Sequence, residues 1–267
     1  MAQDSYMMES GEESLRLELK TDPALVESQA RWAGIQPGMR VADLGCGPGK
    51  TSYYLHQLVQ PGGSTVGIDY SKERVDFALS RYTTDGIEYV YRDIRESMED
   101  LGKFDFVWIR FVLEYHIGQS REIVQNAARI LNSGGILCLI DLDHNCLSHY
   151  GLPDRLERSL HGAMAFLQRR WNFDPYAGRK LFSHLYDLEF KKIDVRVEPY
   201  HVIFGTPDPI SLFNWRLKVR IAVQQSGYLF DEYADGFAGF LQEFETAFAD
   251  PRRFTYTPLI CSRGIKP

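Results

Sequence analysis

The chain has 267 residues, 44% of them hydrophobic and 25% charged, so it is long enough to form a globular core without disulfide bonds. Its 36 acidic and 30 Lys and Arg side chains give a formal net charge of -6, which argues against a protein that binds nucleic acid or anionic membranes. The acidic start MAQDSYMMESGEE lacks the apolar core of a secretory signal, and no stretch approaches the roughly 20 apolar residues of a membrane span. The four cysteines form no CxxC pair. We therefore expect a cytoplasmic protein with reduced thiols.

The first 35 residues are predicted to form a helical, amphipathic lead-in. Ser10 and Glu13 have the spacing of a capping box, and Leu15 and Leu19 fall on one helical face. Asp22-Pro23 has the composition of a fresh helix start, with the aspartate as N-cap and the proline at the first helical position.

From residue 40 onward the pattern changes to strands that alternate with helices. Strands are predicted at 41–44, 64–68, 87–91, 104–109, 135–141, 191–198 and 254–263. Helices are predicted at 50–59, 72–81, 120–131, 154–171, 177–188, 208–226 and 234–249. This alternation predicts βαβ units, a parallel sheet and one α/β core that carries two helical inserts, rather than two independent domains.

The most informative motif is VADLGCGPGKTSYYL at residues 41–55. A strand ends at Asp43-Leu44, and Gly45, Gly47 and Gly49 then lead into a helix. Glycines allow a tight turn and a close approach of the backbone to a ligand, and the helix N-terminus favours an anionic group. Asp69 ends the next strand, where a carboxylate can accept hydrogen bonds from both hydroxyls of a ribose. For Asp43 two roles stay open, a cofactor contact or an acceptor for the glycine turn.

The spacing of the glycines distinguishes between cofactors. A dinucleotide-binding motif has the pattern GxGxxG, but Lys50 stands where its third glycine would be. A nicotinamide-dependent oxidoreductase is therefore disfavoured.

The motifs DLGCGPG and GIDYS resemble the first two motifs of class I S-adenosylmethionine-dependent methyltransferases. The segments YRDIRE, FDFVWIRFVLEYH and LNSGGILCLIDLD continue the resemblance, which covers residues 38–143 closely. The resemblance implies a Rossmann-like, seven-stranded, mostly parallel sheet with helices on both faces. It implies a helical lid at 1–35 and a methyltransferase domain at 36–267, whose inserts at about 145–176 and 201–250 roof the active site.

The resemblance also implies which residues bind S-adenosylmethionine. Asp93 and the Ile94 N–H are expected at the adenine, Tyr115 at the methionine part, and Tyr6 and Arg16 of the lead-in at the methionine carboxylate. Arg110 is expected either beside that carboxylate or paired with Glu114. The full set of expected cofactor-binding residues is Tyr6, Arg16, Asp43, Gly45, Cys46, Gly47, Gly49, Asp69, Tyr70, Asp93, Ile94, Arg110 and Tyr115.

Candidates for catalysis follow the fourth and fifth strands, since ligands of open α/β sheets bind at the carboxyl ends of the strands. His144 and His116 are candidate general bases because imidazole titrates near neutral pH. Glu114 and Asp141 are candidates to balance the sulfonium charge, or to cap helices. No HxH, HExxH or Cys/His cluster indicates a metal site.

The sequence thus predicts an enzyme that transfers a methyl group to a small-molecule acceptor. The alternatives are an RNA or protein methyltransferase, and a non-catalytic protein that retains the cofactor site. The identity of the acceptor, the methylated atom and the oligomeric state stay open.

Overall fold

The computed structural model describes the backbone of residues 13–267, and the side chains of that range apart from those at 13–15, 19, 210, 214, 218 and 221–226. The strands are β1 (Arg40–Leu44), β2 (Ser64–Asp69), β3 (Ile87–Tyr91), β4 (Phe104–Arg110), β5 (Leu131–Leu142), β6 (His149–Tyr150), β7 (Lys191–Phe204) and β8 (Phe254–Ile265). The helices are α1 (Glu13–Lys20), α2 (Pro23–Ala33), α3 (Lys50–Leu58), α4 (Lys72–Arg81), α5 (Ser120–Arg129), α6 (Asp154–Arg170), α7 (Leu181–Asp187), α8 (Pro209–Ser226) and α9 (Phe237–Ala249).

The strands form one sheet in the order β3-β2-β1-β4-β5-β8-β6, and β7 pairs with β8. The pairs from β3 to β5 are all parallel, whereas β8 runs antiparallel to its neighbours β5, β6 and β7. In this order β1 lies between β2 and β4. The strands β2 and β3 extend the sheet on one side of β1, and β4 and β5 extend it on the other, so the direction of the strand order reverses at β1. That reversal opens a crevice at the carboxyl ends of β1 and β4.

The sheet differs from the prediction in two respects. It has eight strands among the described residues rather than seven, because the two residues of β6 pair with Phe254 and Thr255. In addition, β7 runs to Phe204 and not to residue 198, so the second insert begins after residue 204 rather than at 201. The strand continues through Pro199 because, among the described strands, β7 pairs with β8 alone, and an edge strand tolerates a proline beside a register irregularity.

Two of the three buried clusters lie on opposite faces of the sheet. Phe106 and Trp108 of β4 pack with α2 and α3, whereas Val107 and Ile109 pack with α5 and α7. This two-sided burial accounts for the uninterrupted apolar strands.

The third cluster belongs to the inserts. It joins α6, α8 and α9 through residues that include Leu160, Trp215, Phe240 and Phe244. Most aromatic residues of the inserts therefore stabilise the inserts themselves. Within residues 13–267, every helix is too short or too polar to cross a bilayer.

Candidate active site

A cleft opens at the carboxyl ends of the parallel strands. Its wall comes from the turns that follow β1, β2, β3 and β4, and from two further segments, α1 with the residue after it and the end of α6. The sequence-predicted residues that line it are Gly45, Cys46, Gly47, Asp69, Tyr70, Asp93, Ile94, Arg110, Tyr115 and His116. Most of the predicted site is therefore brought together.

The glycine turn needs its first glycine for close packing. Gly45 has φ +78°, and a Cβ atom there would overlap the side chain of Val112. The N–H groups of Gly45 and Cys46 both donate to the carbonyl oxygen of Ile68, at 2.8 and 3.0 Å. The turn is thereby tied to β2, and burial raises the pKa of the Cys46 thiol, which is therefore held in its neutral form.

Gly49 serves packing and lies outside the lining of the cleft. Its φ is +89°, and a Cβ atom would stand 2.6 Å from Ala78 Cβ and 2.9 Å from Tyr89 Oη. The glycine therefore allows α3 to start against α4 and β3, and the structure gives no support for the expected cofactor contact.

Asp69 links the second strand to the glycine turn. Its Oδ2 accepts a hydrogen bond from the Gly47 N–H at 2.9 Å, and its Oδ1 accepts from the Ser71 N–H at 2.9 Å and from Arg74 Nε at 3.1 Å. The carboxylate is 8% exposed and lines the cleft. It stands at the end of β2 beside the glycine turn, and its role at a ribose stays a prediction.

Asp43 lies below the turn rather than in the wall of the cleft. It is 2% exposed, and its Oδ2 accepts a hydrogen bond from Ser52 Oγ at 2.6 Å. Burial raises the pKa of Asp43 to about 7. Among the described residues the carboxylate bonds to α3, and Asp43 is not part of the lining of the cleft, so its contact with the cofactor stays a prediction.

The adenine end predicted from the sequence contains an ion pair. Arg95 donates to both oxygens of Asp93 through Nε, each at 2.9 Å, and through Nη2 to Oδ2 at 2.6 Å. Burial opposes the ionisation of Asp93, but these hydrogen bonds outweigh it, and the pKa of Asp93 is lowered. Tyr70 is 58% exposed and stacks on Tyr91 beside this end of the cleft.

Arg110 carries a buried charge into the cleft. The residue is 9% exposed, and its Nε and Nη2 atoms have no hydrogen-bond partner in the described part of the chain. Burial lowers the pKa of the guanidinium. The expected alternative of pairing with Glu114 is not found, because the Glu114 carboxylate accepts a hydrogen bond from Asn145 Nδ2 at 2.6 Å.

Glu114 and Asp141 form a buried acidic pair behind the cleft. They are 1% and 0% exposed, and the Glu114 N–H donates to Asp141 Oδ2 at 3.1 Å. Burial and the nearby Glu114 carboxylate raise the pKa of Asp141 well above its ordinary value. The pair thus holds the segment after β4 against the end of β5, and neither residue lines the cleft.

The two candidate bases have different surroundings. His116 lines the cleft, and its backbone N–H donates to the Leu113 carbonyl oxygen at 3.1 Å. His144 is exposed, has φ +50° and packs its ring edge-on against Tyr176 at 5.2 Å, outside the lining. A catalytic role for either histidine stays a prediction.

The lead-in helix lies over the glycine turn. Leu17 Cδ1 is 3.5 Å from the point where a Cβ atom would stand on Gly47, and Lys50 Nζ donates to the Glu18 carbonyl oxygen at 2.7 Å. Leu17 and Thr21 line the cleft, whereas Arg16 of the same helix does not. Tyr6 lies outside the described residues.

Several lining residues were missed by the sequence reasoning, chiefly Leu17, Thr21, Phe111, Gln119, Trp171 and Asn172. Trp171 and Asn172 follow α6, and the Asn172 carbonyl oxygen accepts a hydrogen bond from the Ile117 N–H at 3.0 Å. Among the described side chains of the two inserts, those that line the cleft are Trp171 and Asn172, which follow α6, and the roofing role of the inserts stays a prediction.

Two features of the cleft fit the adenosyl and amino-acid parts of S-adenosylmethionine. The turn at Gly45 lets the backbone line the cleft without a side chain, and Arg110 offers a carboxylate two N–H groups, at Nε and Nη2, that have no hydrogen-bond partner within residues 13–267. In residues 13–267, no group of three His, Cys, Asp or Glu side chains is placed to hold a metal ion.

The comparisons with known proteins agree with this geometry. The model of a family described as "Methyltransferase domain" matches residues 35–175, more than half of the chain. An uncharacterized methyltransferase of Synechocystis is 35% identical over 113 residues, which cover 40% of this chain and 49% of the relative. A ubiquinone biosynthesis O-methyltransferase of Bordetella avium is 28% identical over 127 residues, 46% of this chain and 51% of the relative. The chain thus spans about half the length of these curated relatives.

A solved structure matches over most of the chain. It is the phosphoethanolamine N-methyltransferase 2 of Haemonchus contortus in complex with S-adenosylhomocysteine, with a TM-score of 0.56 and 15% identity. The match covers 91% of this chain and 52% of that one. At this identity the match shows a shared fold.

Proposed function

Because the chain belongs to the methyltransferase-domain family, whose cofactor is S-adenosylmethionine, we propose that it methylates a small-molecule acceptor. One observation carries the proposal. Asp69 and Arg110 line one cleft together with Leu17 of α1 and with Trp171 and Asn172, which follow α6. A cleft bounded in this way favours a small acceptor over the surface of an RNA or a folded protein.

Different residues of the cleft are proposed to bind different parts of the cofactor. Asp69 is proposed to accept hydrogen bonds from the ribose hydroxyls, and the Ile94 N–H and Asp93 to meet the adenine. Arg110 is proposed to bind the methionine carboxylate, which would give its buried charge a counter-ion. Gly45, Cys46 and Gly47 line the path between these ends with backbone.

The proposed methyl transfer depends more on how the acceptor is positioned than on a reactive side chain. When bound, S-adenosylmethionine supplies an electrophilic methyl group already activated by the sulfonium charge. The chain must hold the acceptor in line with that methyl group and exclude water. Tyr115 and Trp171 line the cleft and are the aromatic side chains proposed to serve this purpose.

A base is needed only for an acceptor that is protonated at the working pH. His116 lines the cleft and His144 lies outside the lining, and in this proposal proximity rather than either imidazole carries the transfer. We take α1 as the lid and the segment from α6 to residue 172 as a partial roof, because residues of both line the cleft.

The similarity to the ubiquinone biosynthesis O-methyltransferase suggests phenols and quinols as the first acceptors to screen. The test has two stages. Calorimetric titration with S-adenosylhomocysteine, with NADH as control, is expected to show saturable binding of the first ligand alone. A screen with methyl-labelled S-adenosylmethionine is then expected to label a small phenol or quinol.

Three outcomes would contradict the proposal. Failure to bind S-adenosylhomocysteine would remove the cofactor assignment. Salt-sensitive binding of RNA together with its labelling would favour a macromolecular acceptor. Cofactor binding without transfer to any compound of a broad screen would favour a non-catalytic binding protein.

A further inference from the structure

Strand β7 forms an open edge of the sheet. Among the described strands it pairs with β8 alone, so one side of its backbone has no strand partner there. The Val195 N–H donates to Asp194 Oδ1 at 3.0 Å, so this N–H points to the open side. Backbone groups of a strand alternate between its two sides, and Pro199, which has no N–H, therefore stands on the open side as well. An open edge of this kind is a template for pairing with another chain.

Apolar side chains are exposed beside this edge. Val195 and Val197 are 43% and 64% exposed. Val197 is the ladder partner of Ile260, which packs on the same buried cluster as α7, so the two valines and α7 lie on one face of the sheet. On α7, Phe182 and Tyr186 are exposed as well, and their rings stack at 5.8 Å. Exposed apolar surface of this kind is typical of contacts between proteins.

The charged side chains of the same stretch determine which partner fits the edge. Asp194 and Arg196 lie on the other face of β7, and their side chains are 53% and 38% exposed. Within the chain, Arg263 Nη2 is 3.8 Å from Asp194, and Arg196 Nη2 is 2.6 Å from Glu198. Across an antiparallel pair, opposite charges that face each other are stabilising and like charges are destabilising. A stretch that carries both signs two residues apart is therefore complementary to a second copy of itself.

The charges and the proline together select one register for such a pair. With a two-fold axis at Val195, Asp194 of each copy stands opposite Arg196 of the other. An axis at Asp194 or at Arg196 would place that residue opposite its own copy, so like charges would meet. An axis at Val197 would place Val195 opposite Pro199, which has no N–H to donate. The axis at Val195 therefore gives the best match.

We infer that two copies of this chain pair antiparallel through β7, about an axis at Val195, so that their sheets join into one. The Val195 N–H of each copy then donates to the Val195 carbonyl oxygen of the other, and the two valine side chains lie next to each other. The lining of the cleft comes from other segments of the chain. The inference therefore goes beyond the proposed function and does not depend on it.

Sedimentation velocity over a range of concentrations measures the association, and the wild-type chain is expected to form a dimer. Asp194→Arg places two arginines opposite each other, and Arg196→Asp places two aspartates opposite each other. In either variant alone the dissociation constant of the dimer should rise about tenfold or more. An equal mixture of the two variants should restore the dimer, because each arginine then faces an aspartate of the other copy. Glu88→Arg, at an exposed position of β3, makes the same change of charge as Asp194→Arg and is the matched control.

A cross-linking experiment locates the axis. In the inferred dimer the two Val195 Cα atoms belong to a hydrogen-bonded pair about 5.5 Å apart, which is within reach of a disulfide bond. Val195→Cys is therefore expected to form a covalent dimer after oxidation with copper phenanthroline, read on a non-reducing gel. Val202→Cys is similarly exposed on the same strand but lies away from the axis, and it should not. The wild-type chain, whose four cysteines are buried, gives the background.

Three results would overturn the inference. A wild-type chain that sediments as a monomer at every concentration would show that β7 does not bind a second copy and would leave the edge to a different protein. A dimer that persists unchanged in both single charge variants would place the interface elsewhere, as would equal cross-linking of Val195→Cys and Val202→Cys. Thermal melting of each variant separates a loss of association from a loss of folding.

Discussion

The main-chain N–H of Gly47 donates a hydrogen bond to Asp69 Oδ2 at 2.9 Å, so the glycine turn after β1 is held by the acid that ends β2. The two motifs that stand out in the sequence are therefore parts of one structural unit. The same carboxylate that shapes the turn lines the cleft beside it.

Asp69→Ala is expected to weaken the binding of S-adenosylhomocysteine by about 1–3 kcal/mol, because hydroxyl groups lose their acceptor and the Gly47 N–H loses its partner. Calorimetric titration measures the loss. Asp69→Asn, which keeps one acceptor oxygen for the turn, should lose less. Equal affinity of Asp69→Ala and the wild type would show that the ribose assignment is wrong.

Arg110→Met is expected to weaken recognition of the amino-acid end of the cofactor. S-adenosylhomocysteine carries a carboxylate there, whereas 5′-methylthioadenosine does not, so the wild-type preference for the former should fall by about tenfold or more. Without ligand, the melting temperature should not fall, since the variant removes a buried charge whose Nε and Nη2 atoms have no partner. Arg121→Met, on exposed α5 surface, is the control. An unchanged preference in Arg110→Met would place the carboxylate elsewhere.

Asp43 is expected to make stability depend on pH. Its folded pKa of about 7 lies above the ordinary value of 3.8, so the folded chain binds a proton that the unfolded chain releases, and stability falls as the pH rises between these values. From pH 5.5 to pH 8 the loss from this residue is about 2 kcal/mol. Urea denaturation of the wild type and Asp43→Asn at both pH values measures it. The asparagine can still accept the hydrogen bond from Ser52. The free energy of unfolding of Asp43→Asn minus that of the wild type should therefore increase with pH. If this difference were the same at both pH values, Asp43 would not titrate as proposed.

Tyr82→Phe is expected to loosen α1. Tyr82 Oη donates to Glu18 Oε1 at 2.6 Å, which fastens the lead-in helix to the end of α4. Its removal should speed the dissociation of S-adenosylhomocysteine several-fold in stopped-flow measurements while changing global stability by only about 1 kcal/mol. Tyr186→Phe, at a 66% exposed tyrosine, provides the control. An unchanged dissociation rate would show that α1 does not limit ligand release.

Local signals made much of the fold predictable. Asp22 caps α2 as expected, with its side chain accepting from the Ala24 N–H, and Pro23 begins the helix. The predicted bounds of α4 and β3 agree with the structure, because hydrophobic periodicity and caps determine them. The end of β7 was not predictable from Pro199, since the tolerance for proline depends on which strand has only one neighbour.

The residues of the candidate site that belong to a short sequence motif were predictable. The residues that reach the cleft from distant segments of the chain were not. Gly45 and Asp69 each stand in a short motif at the end of a strand, which can be read from the sequence. Gln119 and Trp171 have no such signal, because they line the cleft only after α5 and α6 have packed around it. Gly49 lies within the motif, yet its role is packing against Ala78 and Tyr89, which only the assembled fold reveals.

All four cysteines are free and buried, and they are spread over different parts of the molecule. Cys46 lies in the glycine turn, Cys138 and Cys261 in neighbouring strands of the sheet, and Cys146 in the cluster of the inserts. A thiol that is shielded from water reacts with an alkylating reagent only when its surroundings open. The reactivity of each cysteine therefore reports on the local opening of the part of the structure around it. The alkylation rates of Cys46 and Cys146, read by mass spectrometry, would tell whether the turn and the inserts open together or separately.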